Sequence, residues 1–205
     1  MIQVNELLVA CRSRLGDIEP KKYRWSDEEL IDYINMSISS ISIELQPFTH
    51  THFFYVKKNE DRYALPHNFT RILSITLDDK PLNIVGYEYF VQNKTNINEL
   101  SASFDEQSVF LYPIARFKEN QKIEISYKYI EEVFTKEDKI KLSTAAKKAL
   151  LFHTLHLAYQ INTSERNIGK TAQYLSLYQE EMIRIKPTFY THKHSKKIRN
   201  KFKRI

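Results

Sequence analysis

Glycine is almost missing from this chain: 205 residues hold three, Gly16, Gly86 and Gly169. Phosphate-binding loops need glycines that let backbone N–H groups close on the ligand, so this scarcity argues against nucleotide chemistry. Ile168-Gly169-Lys170-Thr171 has the end of such a loop without its beginning, because Ser164 stands where the first glycine is required. Cysteine is scarcer still. Cys11, the only one, can form no disulfide within the chain, and it falls on the apolar stripe of the first predicted helix, where it reads as a small core residue. No run approaches the roughly 20 apolar residues of a membrane span. The amino-terminal MIQVNELLVACRSRLGD has neither a basic start nor an unbroken apolar stretch, so no secretory signal is expected and synthesis is expected in the cytoplasm.

Aromatic residues, by contrast, are plentiful, with 13 Tyr and 12 Phe beside a single Trp, a load suited to cores and protein interfaces. The formal charge of +6 is unevenly spread. Lys186 to Ile205 holds eight basic residues and no acid, which leaves the rest of the chain with 23 basic against 25 acidic residues. The sequence describes a near-neutral body with a cationic arm.

Helical periodicity opens the chain. Val4, Leu7, Leu8, Cys11 and Leu15 share a face, and Gly16-Asp17 supplies a stop. Ser26 and Glu29 then form a capping box, with Trp25 and Leu30 at the hydrophobic staple positions. Leu30, Ile34, Ile38, Ile41 and Leu45 continue one stripe until Pro47, while Ser37, Ser39, Ser40 and Ser42 leave the other faces small and polar. The middle changes period. HFFYVKK, RILSITL with Leu73, Ile75 and Leu77 alternating, the turn Asp78-Asp79-Lys80, PLNIV, SVFLYP and KIEISYKYI all read as strands, with a short helical piece near Tyr87 to Val91 and a polar loop after it. Beyond Asp138 helical spacing returns. Ser143 caps a thoroughly buried helix through Leu150, Leu155 and Ala158, and a last helix from about 165 to 186 places Tyr174, Tyr178, Met182 and Ile185 on one side before Pro187 breaks it.

Since like elements pack together, the expected fold is α+β: an antiparallel helical bundle from the N- and C-terminal helices, an inserted antiparallel β subdomain, and an extended basic C-terminal arm. The expected divisions are 1–48 and 138–186 for the bundle, 49–137 for the insertion and 187–205 for the arm.

No constellation of acid, base and nucleophile is visible, so no enzyme, cofactor or metal is expected. His153 and His156 could share a helical face as metal ligands do, but no HExxH accompanies them, and hydrogen-bonded core histidines are the plainer reading. His50 with His52, and His192 with His194, read as surface pairs. The acidic pairs Asp78-Asp79, Glu131-Glu132 and Glu180-Glu181 read as solvated charge, and Tyr174 and Tyr178 as either subunit contacts or core. In the arm, Ile198, Phe202 and Ile205 recur at helical spacing among Lys193, Lys196, Lys197, Arg199, Lys201, Lys203 and Arg204. Such a segment suits DNA phosphates, an acidic groove on a partner protein, or simple solubility; its stripe is too short to bury much in a membrane.

The amino-terminal third carries a more specific pattern: Arg14, Leu15, Gly16, Asp17, then Tyr23, Arg24, Trp25, Ser26, Asp27, Glu28, Glu29, Leu30 and Asn35. In order and spacing this resembles the signature of phage head-tail adaptor proteins. Tyr63-Ala64-Leu65-Pro66, followed by Phe69, Arg71, Ile72, Ser74 and Ile75, is similar to that family's approach to its strand insertion. Ile140-Lys141-Leu142-Ser143 is similar to its return to the helices, with serine where proline is frequent. Together the matches span most of residues 5 to 185 and resemble the larger adaptors of short-tailed phages. The resemblance implies a structural virion protein of the neck or tail, assembled in the bacterial cytoplasm. It further implies a homo-oligomeric ring of twelve beneath the portal protein, in contact with further tail or ring proteins, with DNA in the lumen bound without sequence specificity. It would place the arm residues on the portal. A nucleic-acid-binding accessory protein acting through the arm is the alternative.

Overall fold

The computed structural model describes residues 1–93, 99–161 and 168–190. In chain order the elements are β1 (Ile2–Gln3), α1 (Val4–Leu15), α2 (Asp27–Leu45), β2 (Thr49–Tyr55), β3 (Arg62–Ala64), β4 (Phe69–Leu77), β5 (Lys80–Pro81), β6 (Asn83–Ile84), α3 (Tyr87–Asn93), β7 (Ser101–Phe104), β8 (Ser108–Tyr112), β9 (Lys122–Tyr129), β10 (Lys139–Ile140), α4 (Lys147–Tyr159) and α5 (Ile168–Tyr190). The fold is α+β, and the chain divides into two compact units, 1–47 with 131–205 and 48–130.

In the helical unit, α4 packs against α1, α2 and α5. That position explains why Ala149, Leu150, Leu151, Thr154, Leu155, His156, Ala158 and Tyr159 are all buried on one short helix. The stripe of α2 is buried as its spacing predicts, and Ser37 and Ser42 are buried too. Part of the small, polar face that the serines form is thus packed inside: the Ser37 hydroxyl donates to the Tyr33 carbonyl (2.8 Å) and meets the Thr154 hydroxyl of α4 at 3.2 Å. At the start of α2 the capping box closes, the Glu29 N–H donating to Ser26 Oγ (3.1 Å) and the Ser26 N–H to Glu29 Oε2 (2.8 Å), worth about 1 kcal/mol. Ser143 caps a 3-10 turn, Thr144–Ala146, that runs directly into α4. Pro187 does not end the last helix, which continues to Tyr190. One proline removes one main-chain donor, and the buried Ile185 together with the Lys186–Glu44 ion pair (3.1 Å) holds this turn against the unit.

The other unit is two four-stranded sheets, β2-β9-β4-β5 and β3-β8-β7-β6. They share one apolar core containing Tyr63, Ile75, Leu77, Ala102, Val109, Leu111, Ile123, Ile125 and Tyr127. Two expectations are corrected. The unit is not wholly antiparallel, because β6 and β7 pair in parallel, Asn83 with Ser101 and Ile84 with Ala102. Parallel neighbours need a crossover, and α3 lies in the chain between them. Nor does β4 alternate throughout. A register shift between Ile72 and Ser74 puts Ile72 against the core and leaves Leu73 44% exposed. An extra residue in one strand turns every later side chain to the other face. The turn Asp78-Asp79 forms as expected, both residues at positive φ (47° and 65°), the conformation that a two-residue hairpin between β4 and β5 requires.

One polar knot ties the α1–α2 corner. Arg12 is 6% exposed; its guanidinium donates to Asp17 Oδ2 (2.7 Å), the Trp25 carbonyl (3.0 Å) and Asp27 Oδ1 (2.6 Å). The Tyr23 ring covers its other side, 3.5 Å from Cζ to the ring centroid. Asp17 in turn accepts the Arg24 N–H (2.8 Å) and the Trp25 N–H (3.4 Å). Removing one member of a buried ion pair leaves the other uncompensated, which costs about 3–5 kcal/mol. Arg12→Met is therefore expected to lower unfolding free energy by about that amount in urea titration, and Arg12→Met with Asp17→Leu to recover part of it.

Candidate subunit-contact surfaces

The arm residues Lys193, Lys196, Lys197, Ile198, Arg199, Lys201, Phe202, Lys203, Arg204 and Ile205 lie outside the described residues, as do His192 and His194. The described residues offer other surfaces.

On the helical unit, several large aliphatic side chains face solvent without an intrachain role. Val9 on α1 is 62% exposed, Met36 and Ile43 on α2 are 52% and 66%, and Ile183 on α5 is 75%. Met36 and Ile43 are two turns apart and share a face. Glu44 follows Ile43, and Lys186 lies one turn beyond Ile183, so the Glu44–Lys186 ion pair brings α2 and α5 together beside these exposed isoleucines. Scattered apolar side chains are ordinary on a surface; several along helices joined by an ion pair make a candidate contact face. Sequence periodicity missed them because it looks for the buried stripe, and single apolar residues on the opposite face leave no periodic signal.

Tyr174 and Tyr178 are not that face. Tyr178 is 8% exposed and packs on His153 (ring centroids 4.5 Å), while Tyr174 stacks on Tyr159 at 5.7 Å with planes 7° apart. Both belong to the α4–α5 packing. Burial, followed by the Glu44 charge, pushes the Tyr178 phenol up to about 12.

His153 and His156 are turned to structural partners. Because the Ser37 proton goes to Tyr33, His153 Nδ1 donates to Ser37 Oγ (3.0 Å). His156 Nδ1 donates to the Thr171 carbonyl (3.0 Å), and its Nε2 accepts from Gln160 (2.8 Å). Among the described residues no group of three or more His, Cys, Asp or Glu is placed to hold a metal ion. Cys11 is fully buried and its thiol is raised to about 12, chiefly by burial, so it carries no thiolate at neutral pH.

Glu131 corrects the reading of the acidic pairs as solvated charge. It is 8% exposed and accepts the Lys141 N–H (2.7 Å), joining the chain's return from the sheet unit to the segment just before α4. Asn35 does the same for α2: its amide donates to the Val133 carbonyl (2.8 Å) and accepts the Val133 N–H (2.9 Å). Gly169-Lys170-Thr171 opens α5 as a packing junction, with Thr171 Oγ1 donating to the Tyr159 carbonyl (3.1 Å) and Lys170 Nζ to the Tyr159 hydroxyl (3.3 Å).

Burial, with a smaller contribution from His156, lowers His153 from the ordinary 6.5 to about 4. A histidine held neutral by folding gives its stabilisation in full above pH 6.5, and that contribution is lost as pH falls towards 4. Its titratable ring neighbours are His156 and Tyr178. Urea midpoints should therefore fall between pH 6.5 and 4, and His153→Gln, which can still donate to Ser37, should flatten that dependence.

The signature residues now have physical tasks. Asp17, Trp25 and Asp27 hold Arg12; Ser26 and Glu29 cap α2; Asn35 pairs with the backbone of Val133. Sequence reading had passed over Arg12, since a lone arginine on a helix looks like surface charge. No helix of the described residues is long and apolar enough to cross a membrane. No curated protein matches the chain. The family model described as SU10 adaptor protein matches residues 2–196. A match over nearly the whole length takes in both compact units, and this chain belongs to the SU10 adaptor protein family, a family of phage structural adaptors.

Proposed function

We propose that the protein is a ring subunit of a tailed-phage neck, docking beneath the portal protein and connecting it to the tail, with DNA passing through the lumen. The observation that carries this reading is the family match over residues 2–196. Such a subunit works by geometry. Rigid helices contact neighbouring copies, and many weak contacts add to a lasting joint through symmetry and multivalency. No bond in a substrate is made or broken.

The exposed Met36, Ile43 and Ile183 support a role for the helical unit, residues 1–47 with 131–205, in contacts between copies. The sheet unit, 48–130, would receive further tail proteins, and the basic arm would reach the portal. Twelve copies is the expected number. The arm's seven basic residues favour one other reading, an accessory protein that binds DNA through phosphate contacts.

Mixing the full chain with the portal protein of the same genome and imaging the product by electron microscopy separates the two. A ring stacked on the portal supports the adaptor. A bare portal, with salt-sensitive DNA binding by the free chain, supports the alternative. Ile43→Glu with Ile183→Glu should abolish ring formation while changing stability by roughly 0.5 kcal/mol or less per site, as exposed substitutions do. Ending the chain at Tyr190 keeps α5 whole and should retain the circular dichroism spectrum while losing portal docking; docking that survives this truncation would remove the arm from the mechanism.

A further inference from the structure

Strand β2 is the edge of its sheet, seven residues of sequence THTHFFY, with no charge and no proline. Edge strands are normally guarded by lysine, proline, a bulge or a covering segment, because their free N–H and C=O groups will template another strand. The direction of those groups follows from the far end of the strand. Val56 N–H donates to the Gln121 carbonyl (2.9 Å) and its carbonyl accepts the Asn120 N–H (2.8 Å), so Val56 faces the β9 side. In an antiparallel pair this direction alternates, so Phe54, His52 and His50 also face β9, opposite Ile123, Ile125 and Tyr127. Thr49, Thr51, Phe53 and Tyr55 therefore turn their backbone groups to the open edge. Their side chains share the outer face of the sheet, where Phe53 and Tyr55 are 54% and 53% exposed and meet edge to face at 6.1 Å.

We infer that β2 pairs antiparallel with β2 of a second copy, joining two four-stranded sheets across a two-fold axis at His52. The length of the strand selects this occupant. The other sheet edges among the described residues are β1, β5, β6 and β10 with two residues each and β3 with three, and β5 contains Pro81. None can cover a seven-residue edge, so within a second copy the matching strand is β2 itself. The register follows as well. Setting Thr49 opposite the second copy's Tyr55, and Thr51 opposite its Phe53, pairs every outward-facing residue with an outward-facing one. A slip of two residues in either direction leaves some unpaired. Neither strand carries Asp, Glu, Lys or Arg, so no fixed charges oppose the pairing. The added pair also sets a threonine of the second copy beside each of Phe53 and Tyr55 on the outer face, and cross-strand aromatic and β-branched neighbours of this kind are favourable. A two-fold pair cannot be repeated within a single cyclic ring, so under the ring reading proposed above this contact belongs to the free chain.

The register makes the test specific. His52 faces its own copy across the axis in a non-hydrogen-bonded pair, where Cα atoms lie about 4.5 Å apart, within disulfide reach. The full chain carrying His52→Cys should oxidise in air to a covalent dimer, and Cys11 is buried and will not compete. Thr51→Cys, whose opposite number is Phe53, should cross-link at least tenfold less. Thr51→Pro removes an outward N–H without touching the β2–β9 ladder, so its circular dichroism should match wild type while its sedimentation shifts from dimer to single chain. Equal cross-linking at 51 and 52, no cross-linking at 52, or identical sedimentation of wild type and the proline variant overturns the inference; in the last case the edge is left for a strand of another protein.

Discussion

Arg12 organises the helical unit because it is a buried charge that finds all its partners within one corner of the chain. It leaves α1 near its C-terminus and meets Asp17, just past the helix stop, the Trp25 carbonyl before α2, and Asp27 in the first turn of α2. A guanidinium with fixed donor geometry can satisfy that set in few arrangements. The connection from Gly16 to Ser26 is held from both of its ends, with Tyr23 closed over the cation. The angle at which α2 leaves the corner decides where its apolar stripe points, and hence whether Ile34, Ile38 and Ile41 reach the core in which α4 is buried. The stabilisation of the remainder is ordinary hydrophobic burial, roughly 1.5–3 kcal/mol for each fully buried large side chain, offset by chain entropy.

The same economy appears where the chain returns from the strands. Asn35 pairs with the backbone of Val133, Glu131 takes the Lys141 N–H, and Asp138 accepts the N–H groups of Phe134 and Thr135 (2.8 and 2.9 Å). The chain then closes the short β1–β10 pair, Ile2 with Ile140. A segment with little regular structure is thereby anchored through side chains that bond to backbone, which satisfies polar groups the helices cannot reach. For a subunit of a larger assembly, a rigid body of this kind lets surface side chains meet a neighbour without reordering.

Division into a helical and a sheet unit also separates two kinds of sticky surface. The helices expose single aliphatic side chains, whose attraction is non-directional, whereas the strand edge exposes hydrogen-bonding groups that demand a strand in one register. The first suits a ring built from many equivalent contacts, and the second suits one defined partner.

By itself the sequence determined what depends on near neighbours: the capping box at Ser26 and Glu29, the stripe from Leu30 to Leu45, the left-handed stop at Gly16, the Asp78-Asp79 turn, and the buried alternation of Ile123, Ile125 and Tyr127. These follow from propensity and period, and the ordered residues from Arg14 to Asn35 were enough to suggest the family. What only the tertiary structure decided were features set by distant partners. Ser101–Phe104 became a strand although its small residues carry no strand signal, because β8 on one side and β6 on the other supply its hydrogen bonds. A register shift at Ile72 exchanged Leu73 for Ile72 in the core, and Glu131, Arg12 and Ser37 acquired partners that no local pattern announces. Local patterns state which face is apolar; the choice of partner for each polar group is a global packing result, fixed only when the whole core closes.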